Sequence, residues 1–580
     1  MLLCLMSCVR QQDKTDVTME GNTNRIIIYQ VLPRLFGNDN RTCQPWGTKL
    51  VNGCGRLADF TPRALEQIHS LGATHVWYTG IIEQATQTDY SLYGIAADHP
   101  AVVKGIAGSP YAIRDYYDVS PDLATSIPAR MNEFCALVRR THEAGMRVII
   151  DFVPNHVARQ YHSDSRPDGV MDLGEQDDTT QAFSPQNNFY YLPGQPLAIQ
   201  DIDQGDYHEQ PARATGNDQF TAQPHRDDWY ETVKLNYGVD YQGGHTHHFD
   251  PVPRTWKMML HILLHWASKG VDGFRCDMAE MVPVEFWRWA ITQVKAQYPE
   301  IIFIAEIYNP QAYTNYIEQG HFDYLYDKVG MYDCLRAVTE GRQQASDITR
   351  QWQATDSIRN HMLYFLENHD EQRIASDFFA GDAERGRAAM TVAACLGTNP
   401  VMIYFGQELG ERGMDNEGFS GRDGRTTIFD YWMVDKIRRW RNKGRFDNRQ
   451  LTPQEVSLQQ FYSRLLNLAN SEPALREGEM YDLMYANLRN PNFNPGKQFA
   501  FVRRLGNEIV LCVVNFDDQD ANVSIDIPEH LFEFWGLTPA DEVKAEGLLT
   551  GCPFPISFCA DKPTRLLVPA NNGRLLKFKL

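Results

Sequence analysis

The chain predicts an α/β fold: a (β/α)8 barrel, an excursion domain after its third strand, and a C-terminal antiparallel β domain. Three observations predict it. From about residue 25, apolar runs of strand length alternate with amphipathic segments of helix length. Four of these runs stop abruptly at polar and ionisable residues: Asp151-Phe152-Val153-Pro154-Asn155-His156, Gly273-Phe274-Arg275-Cys276-Asp277, Ile304-Ala305-Glu306 and Glu367-Asn368-His369-Asp370. Parallel barrels carry their chemistry at strand C-termini, so such endings are expected there. From about residue 478 the rhythm changes to short apolar runs with few helical segments between them.

Taken in order, Ile26–Leu32 is the first strand. Thr61 and Pro62 open a helix as N-cap and first helical residue, and it closes near Gly72. His75–Tyr78 is the second strand. The amphipathic stretch 129–144 ends at Gly145 and leads to the third strand, Arg147–Asp151. Residues 157–254 are polar, rich in Gly, Asp, Gln and Pro, and lack helical periodicity. They are too long for an ordinary loop and read as the excursion domain. A helix over 255–268 stops at Gly270, before strand four at 273–277. Pro283 starts the helix that leads to strand five, Ile301–Ile304. Strands at 322–326, 362–367 and 399–405 complete the eight. The barrel thus takes residues 25–156 and 255–477. Phe499–Val502, Glu508–Val514 and Val523–Ile525 mark the last domain, 478–580, read as a β-sandwich.

With 580 residues the chain is long enough for two or three domains. Its formal charge of −19, from 55 basic and 74 acidic side chains, argues against nucleic acid or an anionic membrane as partner. A neutral polymer such as a sugar is unaffected by that charge. The 11 cysteines show no CxxC and no metal-type spacing. Cys276 and Cys512 lie in apolar runs and read as buried thiols, whereas Cys43 with Cys54 and Cys552 with Cys559 are close enough in sequence to pair. The segment Leu5-Met6-Ser7-Cys8 resembles the end of a bacterial lipoprotein signal, in which Cys8 is the lipidated residue and 9–23 a polar tether. That reading implies a lipid anchor and a periplasmic or outer-membrane-anchored protein. The alternative is a frayed terminus of a cytoplasmic one.

Three carboxylates meeting in one cleft suit cleavage of a glycosidic bond. Here the chain resembles the α-amylase family of retaining glycosidases (glycoside hydrolase family 13), over roughly residues 25–580. The motifs are Asp-x-Val-x-Asn-His at 151–156, Gly-Phe-Arg-x-Asp at 273–277, Glu306, Asn-His-Asp at 368–370, and Tyr111 with Asp115-Tyr116, in that family's order. The resemblance implies Asp277 as nucleophile, Glu306 as general acid and then base, and Asp370 as the carboxylate that binds sugar hydroxyls and stabilises the transition state. It implies that His156 and His369 hydrogen-bond the reacting sugar and that Tyr111 stacks on it. Arg275 is two residues before Asp277, hence on the same strand face, where its charge is expected to lower the Asp277 pKa. Glu306 is expected to stay protonated at neutral pH.

The implied substrate is an α-1,4-glucan or maltooligosaccharide, and the chemistry needs no cofactor. The implied reaction is hydrolysis of its α-1,4 bonds; glycosyl transfer or disaccharide isomerisation through the same intermediate is the alternative, and a catalytically silent glucan-binding protein comes after both. Asn155 matches a structural calcium ligand of many family members, with Asp201, Asp203 and Asp206 as further oxygen donors. Its other reading is a plain strand-end hydrogen-bonder. Where many starch-cleaving members carry Lys-His after strand four, this chain has Glu280 and Met281, with Glu280 expected to pair with a local arginine.

Overall fold

The structure is a computed structural model and describes residues 25–580. The lipidation candidate Cys8 lies outside the described residues. Eight parallel strands close into a barrel: β1 (Ile27–Val31), β2 (His75–Tyr78), β3 (Arg147–Phe152), β4 (Gly273–Cys276), β5 (Ile302–Ala305), β6 (Tyr324–Tyr326), β7 (Met362–Phe365) and β8 (Val401–Tyr404). They follow chain order around the barrel, and β8 pairs with β1 through Ile27 opposite Val401.

Strand alternation sorts the side chains. On β3, Ile149 points inward, so Asp151 two residues on does too; on β5 the pair is Ile304 and Glu306. Ile28, Ile149, Ile304, Leu363 and Met402 form an apolar layer in the interior, all essentially without solvent exposure. The inward positions one step further along β3, β4 and β5 are ionisable. The barrel is therefore a greasy plug topped by a charged layer at its C-terminal mouth.

The outer helices begin and end on local signals. Thr61 accepts a hydrogen bond from the Ala64 amide at 3.2 Å, and Pro62 opens the helix Pro62–Ser70. Arg130–Glu143 is followed by Gly145 at φ +80°, a conformation open to glycine at no steric cost. Arg254–Ala267 and Val284–Gln297 bury their apolar faces on the barrel wall.

Between β3 and the helix at Arg254 the chain has no helix and only short strand pairs. His156–Ala158 pairs antiparallel with Thr232–Lys234, which ties the end of β3 to the far end of the excursion. Within it, Glu209 bonds Arg159 at 2.8 Å and Arg213 at 2.9 Å. Burial opposes its charge, yet the two guanidiniums draw Glu209 down to about 2.

The C-terminal region holds β9 (Glu479–Asp482), β10 (Gln498–Leu505), β11 (Glu508–Asn515), β12 (Ala521–Ile525), β13 (Ala540–Gly547), β14 (Cys552–Phe558), β15 (Thr564–Val568) and β16 (Asn572–Lys579). Six form one antiparallel sheet in the order β9-β10-β11-β16-β13-β14, and β12 and β15 form a separate ribbon. Among the described residues every cysteine is a free thiol, including Cys43, Cys54, Cys552 and Cys559. Among them, too, no helix is long and apolar enough to cross a membrane.

Candidate active site

Arg275 organises the mouth of the barrel. It has no solvent exposure and sits in register between Asp151 on β3 and Ile304 on β5. One terminal nitrogen lies 2.7 Å from Asp277 Oδ1 and 3.3 Å from Asp151 Oδ1. The other lies 2.7 Å from Glu306 Oε2. Its guanidinium carbon is 5.2 Å from the centre of the Tyr111 ring and 5.3 Å from that of Trp77. A single fixed cation thus spaces three buried carboxylates, the arrangement in which such charges can share a low-dielectric site.

Glu306 is the most constrained of them. Its Oε2 also accepts the Met278 amide at 2.8 Å, and its Oε1 accepts the Tyr308 hydroxyl at 2.9 Å. Burial pushes its carboxyl up to about 7, against Arg275 and with help from Asp277 and Asp370. The shift is in the direction a general acid needs. The expectation for Asp277 is reversed in sign. Burial raises it above the usual aspartate range, and Arg275 offsets that only in part because the same guanidinium is shared with two other acids.

Asp370 follows the Asn368-His369 turn. The Asn368 side-chain oxygen accepts the Asp370 and Glu371 amides, each at 2.9 Å, which fixes the loop. His369 Nε2 is 3.0 Å from Asp370 Oδ2, and its Nδ1 is 2.8 Å from the Gln30 amide nitrogen. Burial works against charge on both, but their attraction prevails: His369 is raised and Asp370 lowered from their ordinary values. The Tyr111 ring stacks on His369 with centroids 5.0 Å apart, and its hydroxyl donates to Asp151 at 3.4 Å. His156 lies beside Trp229, at 5.2 Å between ring centroids, and burial lowers it to about 4. It is thus neutral at physiological pH.

Five of the seven expected chemistry-bearing residues, Asp277, Glu306, Asp370, Tyr111 and His156, line one cleft, with His369 behind Tyr111 and Arg275 beneath. Several partners went unread in the sequence. The motif alone gives Asp151 no role, although aligning strand ends places it beside Arg275. Tyr308 is two residues after Glu306, a same-face spacing that would have found it. Trp77, which donates to Asp151 at 2.9 Å, carried no signal beyond its strand. Among the described residues Glu280 pairs with no arginine. Its two oxygens accept the Tyr308 and Asn309 amides, each at 3.1 Å, which shapes the loop after β5.

Asn155 does not suit calcium. Its Oδ1 accepts from Lys234 Nζ at 2.7 Å, and its Nδ2 donates to the Gly216 carbonyl at 2.7 Å. The same ammonium is 2.6 Å from Asp218 Oδ1 and is almost fully buried. A divalent ion bound to that oxygen would stand against this fixed positive charge. Asp201 lies 3.4 Å from His225, and Asp206 2.9 Å from His99, so neither turns toward Asn155. Among the described residues no group of three or more His, Cys, Asp or Glu side chains is placed to hold a metal ion.

Comparisons with known proteins place the fold and the family. The alpha-amylase catalytic domain model matches residues 30–478. Alpha-amylase MalA of Haloarcula japonica is 23% identical over 86% of this chain and 56% of its own length. Neopullulanase 2 of Thermoactinomyces vulgaris is 21% identical over 88% of this chain and 72% of its own. The chain thus spans little more than half the length of the first of these relatives. Among solved structures, a maltogenic alpha-amylase from Thermotoga neapolitana superposes with a TM-score of 0.62 at 20% identity, covering 96% of this chain and 99% of that one. On the extent of the catalytic-domain match, the chain belongs to the alpha-amylase family of glycosidases.

Proposed function

We propose that the protein is a retaining glycosidase that cleaves α-1,4-glucosidic bonds in maltooligosaccharides. The observation that carries this is the placement of Asp277 and Glu306 on the two terminal nitrogens of one buried guanidinium. A double displacement needs carboxyls about 5 Å apart, whereas direct attack by water needs roughly 6.5–9.5 Å. Two acids gripping one fork supports the short spacing.

In this reading Asp277 attacks the anomeric carbon, and its carboxylate becomes the glycosyl ester. Glu306 gives its proton to the departing glycosidic oxygen. The resulting Glu306 carboxylate then takes a proton from the incoming water, which displaces Asp277. Asp370 holds sugar hydroxyls and faces the positive charge that grows on the ring. Neutral His156 can both donate and accept toward hydroxyls. Tyr111 offers a ring face beside the reacting carbon.

Transfer to a sugar acceptor proceeds through the same ester. The apolar side chains of Trp229, Phe419, Ile428 and Phe429 in the cleft wall favour a sugar face over free water. A time course on maltoheptaose and pullulan, followed by proton NMR and reducing-end counts, separates the readings. Early α-anomer with new reducing ends is expected. Early β-anomer would defeat the retaining assignment, and chain-length redistribution without new ends would replace hydrolysis by transfer.

A further inference from the structure

Lys104 and Glu231 stand in the wall of the same cleft as the three carboxylates, and the chemistry above uses neither. They come from different loops, Lys104 from the one after β2 and Glu231 from the excursion, and they meet at 3.2 Å. The pair therefore bridges two rims. A third rim joins them. Lys104 Nζ lies over the rings of Tyr230, at 5.8 Å, and Phe429, at 5.9 Å. The Ala107 amide donates to the Phe429 carbonyl, and the Ile106 amide to Asp430 Oδ1, each at 3.0 Å. Gly105, at φ +67°, makes this seam possible, since a Cβ there would fall 2.3 Å from the Phe429 oxygen. Loops after β2, β3 and β8 are thus stitched together at one point.

That point has a defined side. Going around the barrel, β8, β1, β2 and β3 are contiguous. Glu306 and Tyr308 follow β5, across the mouth. The leaving group must depart beside the acid that protonates it, so the stitched wall faces the other portion of the substrate, the one Asp277 retains. The wall is also polar where it matters. Glu231 is 4% exposed, and its Oε2 is buried without a hydrogen-bond donor. A buried carboxylate oxygen left without a donor is costly, and a small turn of the Glu231 carboxyl toward the cleft lets a sugar hydroxyl supply one. Lys104 is 30% exposed at its side chain and has further N–H groups to give.

We propose that Lys104 and Glu231 form an end wall that grips the hydroxyls of the non-reducing terminal glucosyl unit and limits how much chain fits on that side of the cut. The enzyme then removes short units of fixed length from the non-reducing end. This rests on the α-glucan reading given above.

The test uses maltoheptaose carrying a fluorophore at its reducing end. Wild-type enzyme is expected to release one short unlabelled size from the first time points, while the labelled remainder shortens stepwise. Lys104→Ala and Glu231→Gln are expected to spread the unlabelled sizes and to lower kcat/KM about tenfold or more, mostly through KM. Lys104→Arg should restore the single product size. Should Glu231→Gln fail to fold, Lys104→Ala, at a partly exposed position, carries the test alone. Interior cleavage by the wild type, or an unchanged product pattern in the variants, overturns the wall while leaving the glucan reading intact. An enzyme inert on every α-glucan overturns that reading, and the wall with it.

Discussion

Glu306 can hold its acid proton on one oxygen only. Oε2 faces donors alone, the Arg275 guanidinium and the Met278 amide, so the proton belongs on Oε1, where the Tyr308 hydroxyl can turn from donor to acceptor. Glu306→Gln removes that proton and should lower kcat/KM on maltoheptaose by about 10²–10⁴. The loss should be much smaller on an aryl glucoside whose leaving group needs no proton. Equal loss on both substrates would assign Glu306 another role. The pH dependence follows from the same group. Its carboxyl moves from 4.5 to about 7, so kcat/KM should fall as pH rises through about 7, and the Gln variant should lack this alkaline limb on the aryl substrate. For stability the sign is fixed too. Across that window the folded chain keeps a proton that the unfolded chain releases, so Glu306 costs stability as pH rises. The acid positions were legible in the sequence because each ends an apolar strand. The sign of the Asp277 shift was not, because it depends on how many carboxylates share Arg275 and how far they are desolvated.

The joint between β3 and the excursion shows what an element-level reading can miss. Strand Thr232–Lys234 lies alongside His156–Ala158, with Lys234 opposite His156. That register carries the Lys234 ammonium to Asn155 Oδ1 and Asp218 Oδ1, so an internal cation links the end of β3 to the excursion. The strand endings of the barrel were readable from periodicity. This strand was not, because it is three residues long and lies in a polar segment where only its long-range partner defines it. Lys104, Trp229 and Glu231 escaped for the same reason. The link predicts that excess EDTA leaves the thermal midpoint unchanged and that added calcium does not raise it. Lys234→Met should cost about 1–3 kcal/mol by leaving Asn155 Oδ1 without its donor and Asp218 without its counter-charge, and calorimetry would measure the drop. A midpoint that falls with EDTA in the wild type would mean that a metal, not the ammonium, holds this joint.

At the scale of the whole molecule, two buried arginines converge on the end of one helix, and the second of them fastens the barrel to the C-terminal sheet. The helix Gly386–Cys395 ends with its last carbonyls in a fully buried place. Arg25, just before β1, donates to the Ala394 carbonyl and to that of Asn399. Arg503 on β10 donates to the Cys395 carbonyl at 2.9 Å and to the Gly478 carbonyl at 2.6 Å. Neither arginine has a carboxylate within ion-pair distance among the described residues; the negative end of the helix dipole and the converging carbonyls take that place. Burial lowers Arg503 to about 10, which still leaves it charged at neutral pH. The sheet also approaches the helix closely at β16, where a Cβ on Gly573 would fall 2.7 Å from Thr391. Barrel and sheet therefore share one buried seam, in which Arg503 ties the helix end to the sheet, and the wild type should unfold in urea as a single transition. Arg503→Met fits a similar volume but strands the Cys395 and Gly478 carbonyls, at about 1–3 kcal/mol each. The loss falls on the seam and not on either core, so the variant should show the sheet melting first. Far-ultraviolet circular dichroism should resolve two steps, while tryptophan fluorescence reports mainly the later one, since Trp535 is the one tryptophan of residues 478–580. A single transition with an unshifted midpoint would mean that the two regions are held together by apolar packing alone.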